Sequence, residues 1–318
     1  MIMEYLILIA SLAGIVFGAD YLVSGTVSLA RRYRVSDFVI GAAIVGVGTS
    51  VPELVVSFMG AVNGNADVAI GNVVGSNIFN VLGILGLTAL FFPVAIEKKN
   101  MKFEIPLCIV VSVLLMILAL NFFDGTAATI GRADGWVLLL SFVGFMWYSF
   151  ARDRKDGNES AEQVTDAESP LWLAIVKVVV GLALLIVSCD FFVDNAVFIA
   201  KRFGVNDAFI SLTLIACGTS LPELAASVAA AVKKNTDMAL GNIVGSNIFN
   251  ITLILGLSSQ VMPLTSACIT SVDYIVMIVA AVLILLIGFT GKINRISGLL
   301  MFICFVAYNW YLISNQIV

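Results

Sequence analysis

Ten apolar runs, each long enough to cross a hydrocarbon core as a helix, follow one another through 318 residues with only short polar breaks between them. A bilayer interior needs about 20 helical residues per crossing. A backbone in lipid must also satisfy its own N–H and C=O groups, which leaves helices or a closed β-barrel. The runs are continuously apolar and lack the period-two alternation of barrel strands, so the reading is helical. They fall at 3–29, 38–62, 68–92, 103–121, 134–150, 171–199, 207–231, 238–262, 272–290 and 296–314. Composition agrees, with 60% of residues hydrophobic and 12% charged. The expected fold class is an all-α integral membrane protein with ten transmembrane helices.

The polar remainder orients these spans. Loops after odd-numbered spans carry thirteen Lys and Arg residues and loops after even ones carry three, Arg132, Lys201 and Arg202. Because the basic side is normally cytoplasmic, both termini are expected outside the cell and the 151–170 linker inside, in a multi-pass protein of the plasma membrane. The opening MIMEYLILIA places an acid and no basic cluster ahead of a long apolar run, which reads as a retained helix. The five cysteines sit singly in apolar segments without CxxC spacing, an arrangement that suits neither zinc nor a disulfide framework. A net charge of −4, drawn largely from the linker, points to no nucleic-acid partner. Membrane lipid is the expected surrounding, and nothing in the pattern requires an oligomer.

The chain is also written twice. GNVVGSNIFN at 71–80 returns as GNIVGSNIFN at 241–250, and residues 41–90 laid without a gap over 211–260 share 25 of 50 positions. This divides the protein into a first five-helix repeat (1–150), a short linker (151–170) and a second repeat (171–318). Five is odd, so matching motifs enter the bilayer from opposite faces. Such inverted repeats build many secondary transporters, whose substrates sit near the midplane between the halves. A duplicated scaffold with no transport role is the plainer alternative, but it gives no reason for the polar residues to be repeated most faithfully.

Those polar residues define the chemistry. Thr49, Ser50, Glu53 and Ser57 share one helical face, and Thr219, Ser220, Glu223 and Ser227 repeat it. An acid at the bilayer centre costs about 2.5–3.5 kcal/mol on insertion scales and is by default functional and partnered. No Lys or Arg lies in spans two, three, seven or eight, and the chain has no His. Cations or protons must therefore neutralise the two glutamates. Pro52 and Pro222 stand next to them and should break the helix, releasing the carbonyls of Gly48 and Gly218. In the decapeptide, Gly71 and Gly75 form a small-xxx-small face, while Asn72, Ser76 and Asn80 make an adjoining polar stripe, repeated as Gly241, Gly245, Asn242, Ser246 and Asn250. Asn77 and Asn247 fall out of phase and read as helix-to-helix hydrogen bonding. Interhelical bonding is the plainer reading for the other asparagines too, but Ser76, Asn80, Ser246 and Asn250 lie near the glutamate helices. Carboxylates, hydroxyls, amide oxygens and free carbonyls, without thiolate or imidazole, form a hard-cation set that suits Ca²⁺ or Na⁺ better than Mg²⁺.

At GTSVPE (48–53), GTSLPE (218–223) and the doubled GNxVGSNIFN, the chain resembles the sodium/calcium exchangers of the calcium:cation antiporter superfamily, specifically the compact prokaryotic members. The resemblance spans essentially the whole chain. It implies that Glu53 and Glu223, with the backbone carbonyls of Thr49 and Thr219, hold Ca²⁺. It implies flanking Na⁺ positions at Ser50, Ser76, Ser220 and Ser246, with backbone carbonyls from Gly46 and Ala216, and a cluster completed by Asn80 and Asn250. Some relatives carry Asp where this chain has Asn250, so the centre holds two acids only, which argues against potassium coupling. The linker is too short for the large calcium-sensing domains of animal exchangers, so no regulatory calcium domain is expected. By the same analogy spans one and six form a sliding gate, with Asp20 and Asp190 near their ends. The transported ions are Ca²⁺ and Na⁺, no cofactor is needed, and the protein is not an enzyme. A proton/calcium antiporter using the same glutamates and a cation channel are the rivals; a hydrolase lacks any Ser/His or His-metal constellation.

Overall fold

The computed structural model describes residues 2–120, 129–159, 170–203, 216–265 and 268–316. Almost all of them are helical. In chain order the helices are α1 (Ile2–Tyr33), α2 (Asp37–Thr49), α3 (Val51–Val62), α4 (Ala66–Phe91), α5 (Lys98–Ala119), α6 (Arg132–Glu159), α7 (Leu171–Arg202), α8 (Leu221–Val232), α9 (Thr236–Val261), α10 (Ser271–Gly288) and α11 (Arg295–Gln316). Among the described residues eight helices are long and apolar enough to cross a membrane, and the bent pair α2–α3 raises this to nine. Span seven was expected at 207–231, and its first nine residues lie outside the described residues.

Capping chemistry fixes where the central helices start. Asn65 accepts a hydrogen bond from the Val68 backbone N–H at 3.1 Å to open α4, and Asn235 does the same with Met238 at 3.1 Å to open α9. Thr270 and Asp273 form a reciprocal capping box at α10. The linker differs from expectation, because α6 continues through Glu159 and makes the first nine residues of 151–170 helical. The charged run 151–159 contains no proline, so nothing covalent stops the helix at the membrane edge. Among the described residues, four two-residue strands were not foreseen. β1 (Val94–Ala95) pairs antiparallel with β4 (Lys292–Ile293), and β2 (Thr129–Ile130) pairs with β3 (Leu264–Thr265). Each bridge ties the exit of α4 or α9 to a connector in the other half.

Burial separates a centre from a lipid-facing shell. In α9 and α4, 94% and 78% of the most apolar window is buried, against 11% in α11. α9 and α4 therefore form the core on which the other helices lean. α1 and α7 run along each other and cross closely. A Cβ at Gly18 would meet the Leu185 backbone nitrogen at 2.7 Å, and one at Gly181 would meet that of Leu22 at 2.5 Å. Gly241 and Gly245 press on the α2 backbone at Phe38 and Ala42, as the small-residue face predicts. For Gly71 and Gly75 the corresponding neighbour would be 207–216, most of which lies outside the described residues.

Candidate cation-binding site

Span two is not one kinked helix. It breaks at Ser50, where φ is −83° and ψ is 11°, and α3 restarts at an angle of 49° to α2. Pro52 therefore sits in the first turn of a second helix, where its missing N–H costs nothing and its fixed φ is favourable. Pro222 takes the same place in α8, after the short turn Ala216–Gly218 that Ala216 opens. The consequence for the acids is direct. Glu53 and Glu223 fall in the first turns of α3 and α8, beside unpaired backbone N–H groups and the positive end of the helix dipole.

The two acids are shared between the halves. Ser50 Oγ donates to Glu223 Oε1 at 2.7 Å, and Ser220 Oγ donates to Glu53 Oε1 at 2.7 Å. Ser220 Oγ also lies 3.2 Å from Ser76 Oγ. Ser246 Oγ donates to the Gly46 carbonyl at 3.2 Å, so this hydroxyl and this carbonyl are neighbours as the resemblance implied. Gly46 eases that approach, since a Cβ there would lie 3.0 Å from the Asn242 carbonyl and 3.1 Å from the Ser246 nitrogen, and these neighbours would have to give by a few tenths of an ångström. The α8 helix that carries Glu223 packs on the wide turn of α4 containing Asn80, and α3 with Glu53 packs on the wide turn of α9 containing Asn250. Wide π-type turns of this kind are frequent at functional sites. Thr49 Oγ1 donates to the Val45 carbonyl at 2.9 Å and lies 3.3 Å from Asn242 Oδ1, while Thr219 stands beside Ser220 in the turn before α8.

The enclosure is complete. Glu53, Glu223, Ser50, Ser220, Asn80, Asn250 and Ser246 are all 0% exposed and Ser76 is 4% exposed. Among the described residues, Glu53 Oε2, Glu223 Oε2, Asn80 Oδ1 and Asn250 Oδ1 are buried with no hydrogen-bond donor. Each such acceptor costs about 1–3 kcal/mol if nothing satisfies it, more when charged. Four acceptors, two of them carboxylate oxygens, make a place that favours a cation with oxygen ligands.

The polar stripe divides into two kinds of residue that spacing did not separate. Asn72 Nδ2 donates to the Glu53 carbonyl at 3.1 Å and to Ser57 Oγ at 2.9 Å. Asn242 repeats this on the Glu223 carbonyl at 3.2 Å and Ser227 Oγ at 2.8 Å. These asparagines and the two outer serines brace α3 against α4 and α8 against α9. Only a helix–helix contact between residues 15 and 19 positions apart reveals it. Asn77 and Asn247 bond across the halves, as their phase suggested: Asn77 Nδ2 donates to the Asn247 carbonyl at 3.1 Å, and Asn247 Nδ2 to the Asn77 carbonyl at 3.3 Å.

Known proteins share this arrangement of sequence and fold. The family model for sodium/calcium exchanger protein matches residues 3–151 and 173–314. The sodium/calcium exchanger MaX1 of Methanosarcina acetivorans is 32% identical over 339 residues, spanning 96% of this chain and 97% of MaX1. The inner membrane protein YrbG of Escherichia coli is 35% identical over 302 residues, spanning 90% of this chain and 89% of YrbG. The structure of the sodium-calcium exchanger NCX_Mj, soaked with zero Na⁺ and Ca²⁺, matches with a TM-score of 0.83 at 30% identity over 99% of each chain. This multi-pass membrane protein, with its two glutamates enclosed at the meeting of two similar halves, belongs to the sodium/calcium exchanger family, whose members are transporters and not enzymes.

Proposed function

We propose that this protein is a secondary antiporter that exchanges Na⁺ for Ca²⁺ across the plasma membrane by alternating access. The observation that carries the reading is the enclosed set of donor-free oxygens on Glu53, Glu223, Asn80 and Asn250. Ca²⁺ uses the two carboxylates and the two amide oxygens, with the Thr49 and Thr219 carbonyls completing six or more ligands. Na⁺ uses the Ser50, Ser76, Ser220 and Ser246 hydroxyls with the carbonyls of Gly46 and Ala216. The chain crosses the membrane ten times as two inverted repeats of five helices, both termini outside. A site emptied of cations keeps two uncompensated charges in a dry interior and resists reorientation, so transport in one direction requires return with the other ion. More than two Na⁺ per Ca²⁺ makes the cycle electrogenic.

The experiment is uptake of radiolabelled Ca²⁺ into proteoliposomes. An outward Na⁺ gradient drives accumulation, and a positive-outside potential changes its rate. Accumulation that follows an imposed pH gradient and ignores Na⁺ replaces this reading with proton/calcium antiport. Flux with no countergradient, accompanied by single-channel conductance, replaces it with a channel.

A further inference from the structure

Four asparagines make a closed circuit between the halves. Besides exchanging bonds with each other's backbone carbonyls, Asn77 and Asn247 each present a side-chain oxygen to the opposite repeat. Asn250 Nδ2 donates to Asn77 Oδ1 at 3.1 Å, and Asn80 Nδ2 donates to Asn247 Oδ1 at 3.0 Å. All four side chains are buried, with at most 3% exposure.

The circuit has only one self-consistent set of amide orientations. A backbone carbonyl can only accept, so the Asn77 side chain must turn its NH₂ towards the Asn247 carbonyl, and Asn247 must turn its own towards the Asn77 carbonyl. Their Oδ1 atoms are then fixed as the acceptors facing Asn250 and Asn80. Those two residues must answer with NH₂, since oxygen against oxygen would leave two buried acceptors in contact. Their own oxygens are thereby forced to the other side, where both are free of donors.

We propose that Asn77 and Asn247 are positioning residues that lock the amide polarity of Asn250 and Asn80, so that the site interior presents oxygen and never NH₂ to the transported cation. The inference rests on the reading of Asn80 and Asn250 as cation ligands. Each lock belongs to the opposite repeat from the ligand it orients, so neither half can assemble an all-acceptor site alone. An amide free to rotate would spend part of its time offering a donor to a cation. Removal of the lock lowers ion affinity without touching an ion ligand.

The test is a rescue experiment on purified full-length protein, reading Ca²⁺ affinity by calorimetry and Michaelis constants in proteoliposomes. Asn77→Leu keeps the branched shape and removes the lock, and Ca²⁺ affinity falls about tenfold or more, within the range for partners that orient a metal ligand. Asn250→Asp has no wrong end to present. Introduced into Asn77→Leu it raises Ca²⁺ affinity by a larger factor than in the wild-type background, and the pair Asn247→Leu with Asn80→Asp behaves alike. Equal factors in both backgrounds, or an affinity for Asn77→Leu within about twofold of wild type, overturns the lock. Wild-type protein gives a second reading that needs no variant to fold. The side-chain NH₂ protons of Asn80 and Asn250 exchange slowly with solvent both with and without Ca²⁺, and fast exchange in either state overturns the proposal. Glu53→Gln separates the two levels. If that variant binds Ca²⁺ as wild type does, the site reading itself fails; if it does not bind while Asn77→Leu binds normally, only the lock fails.

Discussion

The centre of the protein and one of its ends use the duplication in opposite ways. At the centre the contacts that hold the acids and brace their helices occur twice with the halves exchanged. Ser50 holds Glu223 and Ser220 holds Glu53, both at 2.7 Å, and Asn72 and Asn242 brace their helices with the same partners. At the end of α8 the pattern is broken. Lys233 Nζ pairs with Asp20 Oδ1 at 2.7 Å and donates to the Asp20 carbonyl at 2.9 Å and Ser24 Oγ at 2.5 Å, fastening α8 to α1. The repeat offset places Asn63 where Lys233 stands, opposite Asp190 and Asp194 in place of Asp20 and Ser24, so the matching position offers those acids no cation. An alternating-access site of the kind proposed above is formed where the two halves meet and draws on both. The two ends need not be equally fastened, and a difference in fastening biases which one is closed.

The comparison can be broken most severely at the acids. Glu53→Gln and Glu223→Gln should each lower Ca²⁺ exchange about 100-fold or more, and by similar factors, because each leaves its partner charge without a divalent counterpart. Membrane insertion and elution on size exclusion should stay normal; near-wild-type flux in either variant sinks the site. Next come the cross-half serines. Ser50→Ala and Ser220→Ala each remove one hydrogen bond to a carboxylate, and flux at limiting ion should fall about tenfold for each. A large effect in one and none in the other would show that the site is not shared evenly.

Packing provides the third contrast. A Cβ at Gly245 would lie 2.5 Å from the Ala42 Cα and 2.9 Å from its carbonyl oxygen, whereas one at Gly144 has nothing within 4 Å among the described residues. Gly245→Ala should destabilise the protein by about 1–3 kcal/mol, and Gly144→Ala should be neutral or slightly stabilising, as read by thermal unfolding in detergent. The smallest effect belongs to the unequal ends. The Lys233–Asp20 pair is partly exposed, at 30% and 54% of the side chains, so its contribution is about 1 kcal/mol or less. Lys233→Asn, which copies the residue of the other half, should shift the balance between the two access states by about two- to fivefold, measured by labelling of cysteines placed along α1. Asn63→Lys should shift it the opposite way. No change in either variant would make the clasp a surface contact only.

Much of this was legible before any coordinate. Helical membrane spans, the doubling, the paired acids and the oxygen-only donor set all follow from local rules: hydropathy over a bilayer's width, and faces at spacings of three, four and eight. The same rules explain what was missed. Periodicity put Asn72 and Asn80 on one stripe and could not tell that the first spends its donors on the Glu53 carbonyl and Ser57 while the second keeps its oxygen free. Ser50 and Ser220 were visible as hydroxyls near an acid, but the acid each one holds is in the other half. A proline that reads as a kink within one helix is instead the first turn of a new one, because the break falls at Ser50.

The sequence alone determined that this chain lies in a membrane, that it is two copies of one design, and that its interior acids call for mobile cations or protons, since it carries no base near them. The tertiary structure decided which half holds which acid, which amides face inward as oxygen, and which end is clasped. Those choices join residues from 167 to 213 positions apart. Such pairings depend on how the two copies are brought face to face, and the sequence of either copy is the same whether or not they meet.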